Sequence, residues 1–465
     1  MPGRRIYAAV FALSISLAFG QSDPVRKYNL LREDDDWTFL RDPTLREDIW
    51  DPIKYIPLRQ GAADWNLSLG GEVRQSFEAV GNDNWGQQPF NNAFWLQRYI
   101  AHADVRYGKY FRSFVQLKSG VELFRQGGPR PIDKKDLDFQ AAFIEVGPHD
   151  APRGFVFRIG RQELNYGSGR LLSVREGPNV RQSFDGVKIR SKLGQWNIDA
   201  FAVRPTLDKP GFFDNVPDHR TGFWGAYATR PEAKGVFFDA YYFGIDHKGS
   251  TYNRGSAREV RHSLGTRLWR RPATKSSGWD FDYEGVWQFG SFGSANIRAW
   301  TLASDTAYRL PSTPLAPRFS LKADISSGDD PKTRTLGTFS ALYPIGNYFG
   351  VLADTGPGPQ NFIDIHPRVQ SQILHSISVS TDVVVHWREN LHDGVYAVPG
   401  FLLRPAGINT ARFVGYRPGV EARWQIDRHA FLQADYGVFF AGRFLQESMP
   451  GRNLNYWTLW AGYKF

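Results

Sequence analysis

The sequence predicts an all-β fold: a transmembrane antiparallel β-barrel of about 18 strands, with short turns at one end and long loops at the other. Three observations support this fold class. The last strand is aromatic, apolar and polar residues alternate along most of the chain, and the connections alternate between short and long. A barrel meets lipid with only every second residue, so the negative mean hydropathy of the chain is compatible with it.

The final ten residues form the clearest strand. One face carries Trp457, Leu459, Ala461, Tyr463 and Phe465, whereas most of the intervening residues are polar or small. An apolar outer face and a polar inner face are what a transmembrane barrel strand needs. A terminal aromatic residue is typical of bacterial outer-membrane barrels, whose last strand is read by the barrel-assembly machinery. We therefore expect that machinery as a partner and the outer membrane of a Gram-negative bacterium as the location.

The N-terminus predicts secretion. Arg4 and Arg5 precede an apolar run over 6–19, and Gly20–Gln21 follows as a small-residue cleavage site. The run is too short to span a membrane comfortably. Residues 1–20 are therefore predicted to be a signal peptide.

Alternation with a period of two fills the predicted barrel, residues 64–465. It is clearest over 65–79, 377–387, 414–426 and 430–440. In 65–79 and 414–426 both signs of charge lie on the polar face, which indicates a wet lumen rather than a packed core.

Connection lengths give the orientation. Short turns are predicted at 107–110, 191–195, 231–235 and 427–429. Long Gly/Pro-rich loops are predicted at 80–93, 125–136, 165–183, 205–221, 247–256, 327–360 and 389–411. Short turns are periplasmic and long loops extracellular in outer-membrane barrels, so both termini are expected on the periplasmic side.

Residues 21–63 lie outside the alternation and are predicted to be a periplasmic N-terminal arm. They are either a docked arm that partly plugs the barrel or a disordered leader. Trp37, Phe39, Trp50 and Tyr55 favour docking, because aromatic side chains are costly to leave in water.

Composition excludes several function classes. The chain has no Cys, so thiolate metal sites and Cys nucleophiles are excluded. Its formal net charge is +10, but the charge is spread along the chain, and secretion makes nucleic acid an improbable partner. No serine-hydrolase, metalloprotease, P-loop or dinucleotide motif is present. We therefore expect no enzymatic activity, no cofactor and no metal site.

One strand–loop–strand unit, 160–187, is unusually dense in charge. Its members are Arg161, Arg170, Arg175 and Arg181 with Glu163, Glu176 and Asp185. A surface loop has no physical need for that density, whereas a loop folded into a pore has one. Arginine presents a fork of donors to carboxylates and sugar hydroxyls, and neighbouring carboxylates hold that fork in place.

Two segments resemble the alginate export family of outer-membrane porins. They are GRQELNYGSGRLLSVREGPNVRQSFDGVKIR at 160–190 and DWTFLRDPTLREDIWDPIKYIPL at 36–58. The resemblance covers essentially the whole mature chain. It implies a monomeric 18-stranded barrel with an arginine-lined constriction that passes an anionic polysaccharide.

We expect the lumen to be lined by charged residues from several strands. The expected lining residues are Arg74, Arg161, Arg190, Arg267, Arg417 and Arg423, balanced by Glu72, Glu163, Asp185 and Glu421. The expected constriction-loop residues are Arg170, Arg175, Glu176 and Arg181.

Strand parity leaves the direction of Arg161 open. It shares a face with Phe155, Phe157 and Ile159, so either Gly160 marks a bulge that resets the face or the inner wall is aromatic there. An inward Arg161 is favoured, since arginine in hydrocarbon costs about 2–4 kcal/mol.

These features together predict an outer-membrane channel that passes a hydrophilic, anionic solute or polysaccharide by charge-selective diffusion. The alternatives are a barrel-embedded outer-membrane hydrolase and a plugged surface-display barrel.

Overall fold

A computed structural model describes residues 26–59, 61–62, 64–88, 91–149, 154–270, 277–350 and 356–465. The predicted signal peptide, 1–20, lies outside the described residues.

Eighteen antiparallel strands form one closed barrel, in which each strand pairs with the next and the last pairs with the first. The predicted fold class and strand number are therefore confirmed. In chain order the strands are β1 Trp65–Gly81, β2 Asn92–Tyr107, β3 Phe111–Leu123, β4 Lys135–Val146, β5 Phe155–Gln162, β6 Phe184–Leu193, β7 Trp196–Leu207, β8 Thr221–Pro231, β9 Val236–Tyr252, β10 Gly255–Arg270, β11 Gly278–Phe292, β12 Ala295–Arg309, β13 Arg318–Ser326, β14 Phe362–Leu374, β15 Ile377–Trp387, β16 Phe413–Gln425, β17 Ala430–Ala441 and β18 Leu454–Lys464.

The barrel closes between β18 and β1. Their register runs without a shift from Glu72 opposite Lys464 to Gly81 opposite Asn455. The terminal residue extends it, because the Gly71 amide donates to the Phe465 carbonyl over 2.7 Å. Closure leaves no sheet edge with unpaired backbone groups, which a bilayer would not tolerate.

Alternation separates the two faces of the wall as predicted. On β1, Ser68, Glu72 and Arg74 are buried inside, whereas Trp65 and Leu67 face outward. Outward aromatic residues lie near both ends of the barrel, as membrane-interface girdles require. Examples are Trp65, Tyr107, Trp279 and Tyr308 at the end with the short turns, and Trp95, Trp387 and Trp457 at the other.

The two ends of the barrel differ as expected, with one exception. The predicted loop at 247–256 is wrong: β9 continues to Tyr252 and β10 starts at Gly255, which leaves a two-residue turn. The extended hairpin is stabilised by Tyr252, whose hydroxyl donates to Glu259 over 3.0 Å.

No helix in the described part of the chain is long and apolar enough to cross a membrane.

One side of the lumen is a packed core, which the expectation of a wet lumen missed. Inward aromatic residues of β6 to β9 pack with the loop that follows β5. The core includes Leu164, Leu171, Leu172, Phe184, Phe201, Phe223, Tyr227, Tyr241 and Phe243. This part of the lumen is therefore filled rather than open.

The N-terminal arm docks at the end with the short turns. Its strand Ile56–Pro57 pairs with β1, and its Trp50 indole donates to the Tyr463 hydroxyl over 2.8 Å. The Trp50 ring also lies 4.5 Å from the ring of Phe465. Short helical turns at Arg32–Asp34, Thr38–Arg41, Pro43–Leu45 and Asp51–Lys54 precede this contact. The described part of the arm is therefore ordered against the barrel.

Lys54 makes arm docking depend on pH. Its side chain is almost fully buried, and its ammonium has no hydrogen-bond partner, although it lies 5.3 Å from the centre of the Trp37 ring. Burial, reinforced by Arg32, lowers the pKa of Lys54 to about 7 from 10.5. An undocked arm therefore binds a proton between these values that the docked arm does not.

Docking of the arm should strengthen as the pH rises from about 7 to 10.5, because the buried Lys54 then loses its proton. Below about pH 7 the docked arm bears the full cost of burying a charged ammonium. We expect proteinase K to cut the wild-type arm faster near pH 7 than near pH 9, and Lys54→Met to reduce this difference. The exposed Lys27→Met is the control. An unchanged pH dependence in Lys54→Met would contradict this assignment.

Candidate pore and constriction

A long loop folds into the lumen between β5 and β6. This loop spans 163–183, close to the predicted bounds of 165–183, and we call it the constriction loop. Arg74 on β1 donates to the carbonyls of Glu176 and Gly177, each over 2.7 Å, and to that of Pro178 over 3.1 Å. One guanidinium of β1 thus holds the loop tip by its backbone.

A second arginine, Arg98 on β2, ties the same tip to the wall. Its side chain is 0% exposed and pairs with both Glu72 and Glu176. The Arg98–Glu72 hydrogen bond through Nε measures 3.0 Å. Breaking a buried pair of this kind by removing one partner costs about 3–5 kcal/mol.

The root and the far side of the constriction loop are also paired. At the root, Arg181 bonds Glu163 over 2.9 Å. On the far side, Arg170 reaches Asp282 and Glu284 of β11, each over 3.1 Å. The loop therefore crosses the barrel and is fixed by charge at both walls.

A second loop, described over 327–350 and 356–361, enters the lumen beside the first. The amide of Tyr343 donates to Leu171 over 2.9 Å, and the amide of Ile345 donates to Gly169 over 2.8 Å. Arg175, also in the constriction loop, lies 5.7 Å from the centre of the Tyr343 ring. The two loops form a septum that narrows the lumen.

A cavity of about 600 Å³ remains beside this septum, along β11 to β18 and β1. Six Arg or Lys side chains and seven carboxylates line it, so the charge is nearly balanced rather than uniformly positive. The cations are Arg170, Arg318, Lys322, Arg368, Arg417 and Arg423; the carboxylates are Glu78, Glu176, Asp282, Asp305, Asp382, Glu421 and Asp435.

Most of the expected lining residues do face inward. On the strands these are Glu72, Arg74, Arg190, Arg267, Arg417, Glu421 and Arg423. Of the full expected set, Arg170, Glu176, Arg417, Glu421 and Arg423 line the cavity.

Other inward residues do not line the cavity themselves, because their guanidinium groups pair with carboxylates of the wall. Arg267 bonds Asp239 over 3.0 Å and Asp282 over 2.6 Å. Arg190 bonds Glu145 over 2.7 Å.

The inward orientation expected for Arg161 and Asp185 is wrong. The register across β5 and β6 is continuous and places them opposite each other, on the face that carries exposed Phe157 and Ile159. Gly160 does not reset that face, and Arg158 points inward instead. Arg161 is accommodated there because it lies at the end of β5 and pairs with Asp185 over 2.9 Å and Asp138 over 3.1 Å.

Several lumen cations escaped the sequence analysis. Arg318, Lys322 and Arg368 line the cavity, and Arg98 anchors the constriction loop. The alternation of inward and outward residues along β2 could have revealed Arg98 as an inward residue. It lies directly opposite Arg74 in the register of β1 and β2. The poor alternation of β14 hid Arg368.

Solved structures with the same fold include several proteins with Occ names. Pseudomonas aeruginosa OccD3 (OpdP) matches with a TM-score of 0.59 at 13% identity, over 91% of this chain and 96% of that one. Acinetobacter baumannii OccAB3 gives 0.62 at 13%, over 86% and 99%. Pseudomonas aeruginosa OccK2 (OpdF), solved in complex with glucuronate, gives 0.57 at 11%, over 86% and 98%. No curated protein sequence matches the chain.

The closed barrel and its charged lumen define the class of protein: a channel embedded in the lipid bilayer of the bacterial outer membrane. A family model described as alginate export matches residues 65–458. The chain belongs to the alginate export family.

Arg74 should control the width of the lumen. Arg74→Ala removes the donors to three loop carbonyls, and charge-assisted hydrogen bonds are worth about 1.5–3 kcal/mol each. We expect larger and noisier single-channel currents in planar bilayers. Arg230→Ala, in a half-exposed pair with Glu232, is the control. Wild-type currents from folded Arg74→Ala would show that the loop does not narrow the conducting path.

Proposed function

We propose that the protein passes hydrophilic anionic solutes, with acidic saccharides as the favoured class, by charge-selective diffusion. The observation that carries this proposal is a line of cations on one wall of the cavity. We call it the cationic track; it consists of Arg318, Lys322, Arg368, Arg417 and Arg423 on β13, β14 and β16. Carboxylates are distributed over this and the facing walls.

Two track residues are available to a solute. Arg423 bonds the neutral amide oxygens of Gln433 and Gln425, over 3.0 and 3.3 Å, and among the described residues it has no ion pair within 4.0 Å. Arg368 donates to the Ser380 hydroxyl over 2.8 Å and has a long 3.6 Å contact with Glu421. Because neither guanidinium is saturated by a close carboxylate, each can receive one from the solute.

Aromatic residues favour a saccharide as the solute. Trp460 and Tyr456 of β18 line the cavity together with the track. Sugars stack on aromatic faces, and an acidic sugar presents a carboxylate to arginine at the same time. The glucuronate complex of OccK2, a protein of the same fold, supports this chemical class.

Weak, repeated binding would give passage. The cations raise the local anion concentration, and the interleaved carboxylates keep each contact weak enough for release. Diffusion of this kind needs no catalytic group or cofactor. The proposal includes removal of residues 1–20, an arm over 21–63, a barrel over 64–465, insertion by the barrel-assembly machinery and a monomeric channel.

One observation favours a plugged display barrel instead. The arm and the two inward loops together fill much of the lumen, as the packed core and the arm contacts indicate. Absence of conductance by the folded protein would support that alternative.

Charge selectivity tests the channel proposal. We expect planar bilayers in a KCl gradient to show anion preference at low salt that fades as salt rises, because the Debye length is about 10 Å at 0.1 M. The double variant Arg368→Gln/Arg423→Gln should lower the chloride-to-potassium permeability ratio about tenfold at low salt. Two unit charges about 5 Å from the ion contribute about 0.8 kcal/mol each in water.

Arg258→Gln is the matched control, because Arg258 faces outward and its side chain is 64% exposed. Equal selectivity in the double variant and in this control would overturn the role of the cationic track.

A further inference from the structure

The tip of the N-terminal arm enters the lumen and presents a carboxylate to arginines of the wall. Glu33 is 2% exposed, and its Oε1 accepts from Arg158 of β5 over 2.6 Å. Arg112 of β3 donates to the backbone carbonyl of Glu33 over 2.5 Å. An acidic side chain of the chain itself thus sits where the wall offers guanidinium groups.

These groups belong to a larger cluster near the short turns, which we call the arm-tip site. Its four cations on β3, β5 and β6 meet only three carboxylates of the wall. The cations are Arg112, Arg158, Lys188 and Arg190, and the carboxylates are Asp104, Glu145 and Asp199. Arg106 of β2 shares Asp104 over 3.5 Å as a fifth cation, so without the arm the wall has two more cations than carboxylates.

Arg158 shows how that excess is presented. One side of its guanidinium bonds Glu145 of β4 over 2.7 Å, and the other side bonds Glu33. The Cζ atom of Arg158 lies 3.7 Å from the centre of the Phe143 ring, and this cation–π contact helps to hold the guanidinium in place. If the tip withdraws, Nη1 of Arg158 loses its carboxylate and faces the lumen, while Nε and Nη2 stay with Glu145 and keep the guanidinium in position.

Glu33 fits this site only in part. Its second oxygen, Oε2, is buried and has no hydrogen-bond partner, an arrangement that costs about 1–3 kcal/mol. A free carboxylate that satisfies both oxygens can therefore compete with the side chain of Glu33.

The base of the arm is held to the barrel by contacts that do not involve the tip: Asp48 bonds His429 over 2.6 Å and Arg428 over 2.7 Å, and Trp50 bonds Tyr463. The tip also touches the constriction loop, because Arg181 donates to the carbonyl of Leu30 over 2.9 Å. Withdrawal of the tip would therefore open the periplasmic mouth toward the constriction.

We propose that the arm-tip site binds the carboxylate of the transported acidic saccharide, and that Glu33 occupies this site in the resting channel as a built-in competitor. This inference rests on the proposed function. An anion arriving at the periplasmic mouth displaces Glu33 from Arg158, and the tip returns when the anion moves on.

Sodium glucuronate, added on the periplasmic side, is the probe, and the full-length channel in a planar bilayer is the protein. Its binding is read as the concentration that halves the chloride current. Glu33→Gln keeps the shape of the side chain and removes the competing charge, so we expect half-block at about tenfold lower glucuronate, the equivalent of one charge-assisted hydrogen bond. Glu47→Gln is the control, because Glu47 lies in the same arm with a 70% exposed side chain.

A second variant in the Glu33→Gln background, Arg158→Lys, keeps the wall charge and removes the fork. It should raise the half-blocking concentration again, and heat-modifiable gel mobility establishes that each variant is folded. Equal half-block in wild type and Glu33→Gln, or no block of either, overturns the inference. A larger current in Glu33→Gln with an unchanged half-blocking concentration of glucuronate also overturns the inference, since the arm then acts only as a plug. If the reversal potential still shows anion preference in those cases, the proposed function stands.

Discussion

In a bilayer every backbone donor and acceptor must be satisfied within the protein, and the pairing of β18 with β1 meets that requirement. The other features of the molecule depend on this closure. An 18-stranded barrel is wide, so its interior has to be filled or left wet. This chain does both: an aromatic core fills part of the lumen beside β6 to β9, and charged side chains line the cavity beside β11 to β18 and β1. The division creates a narrow, polar path along one wall.

Charges inside that path are organised by arginines that reach across it. Arg74 and Arg98 bind the tip of the constriction loop, while Arg170 binds the opposite wall. These buried cations are structural, because they bind close carbonyls and carboxylates of the protein. The arginines left for a solute are those with neutral or distant partners, such as Arg423. Nearly balanced total charge is therefore compatible with a cationic track.

The barrel could be predicted because its rule is local. The period of two and the length of each connection are properties of consecutive residues, so the sequence alone predicted the number of strands. The prediction of a loop at 247–256 was wrong because polar residues continue a strand beyond the bilayer as readily as they form a loop. The inward orientation predicted for Arg161 was wrong because it rested on the cost of an arginine in lipid. The ion pairs with Asp138 and Asp185 at the end of the strand, which reduce that cost, cannot be recognised from the sequence.

The site could be predicted only in outline, because its contacts join distant parts of the chain. Arg98 meets Glu176 across 78 residues, and Arg158 meets Glu33 across 125. The most direct measurement uses the absence of native Cys and a small anionic methanethiosulfonate reagent on single-Cys channels. We expect Gln433→Cys, in the cavity, to react and lower the current, and Val203→Cys, in the packed core, to stay inert. Equal reaction at both positions, or an inert Cys at position 433, would contradict a conducting path confined to the cationic side.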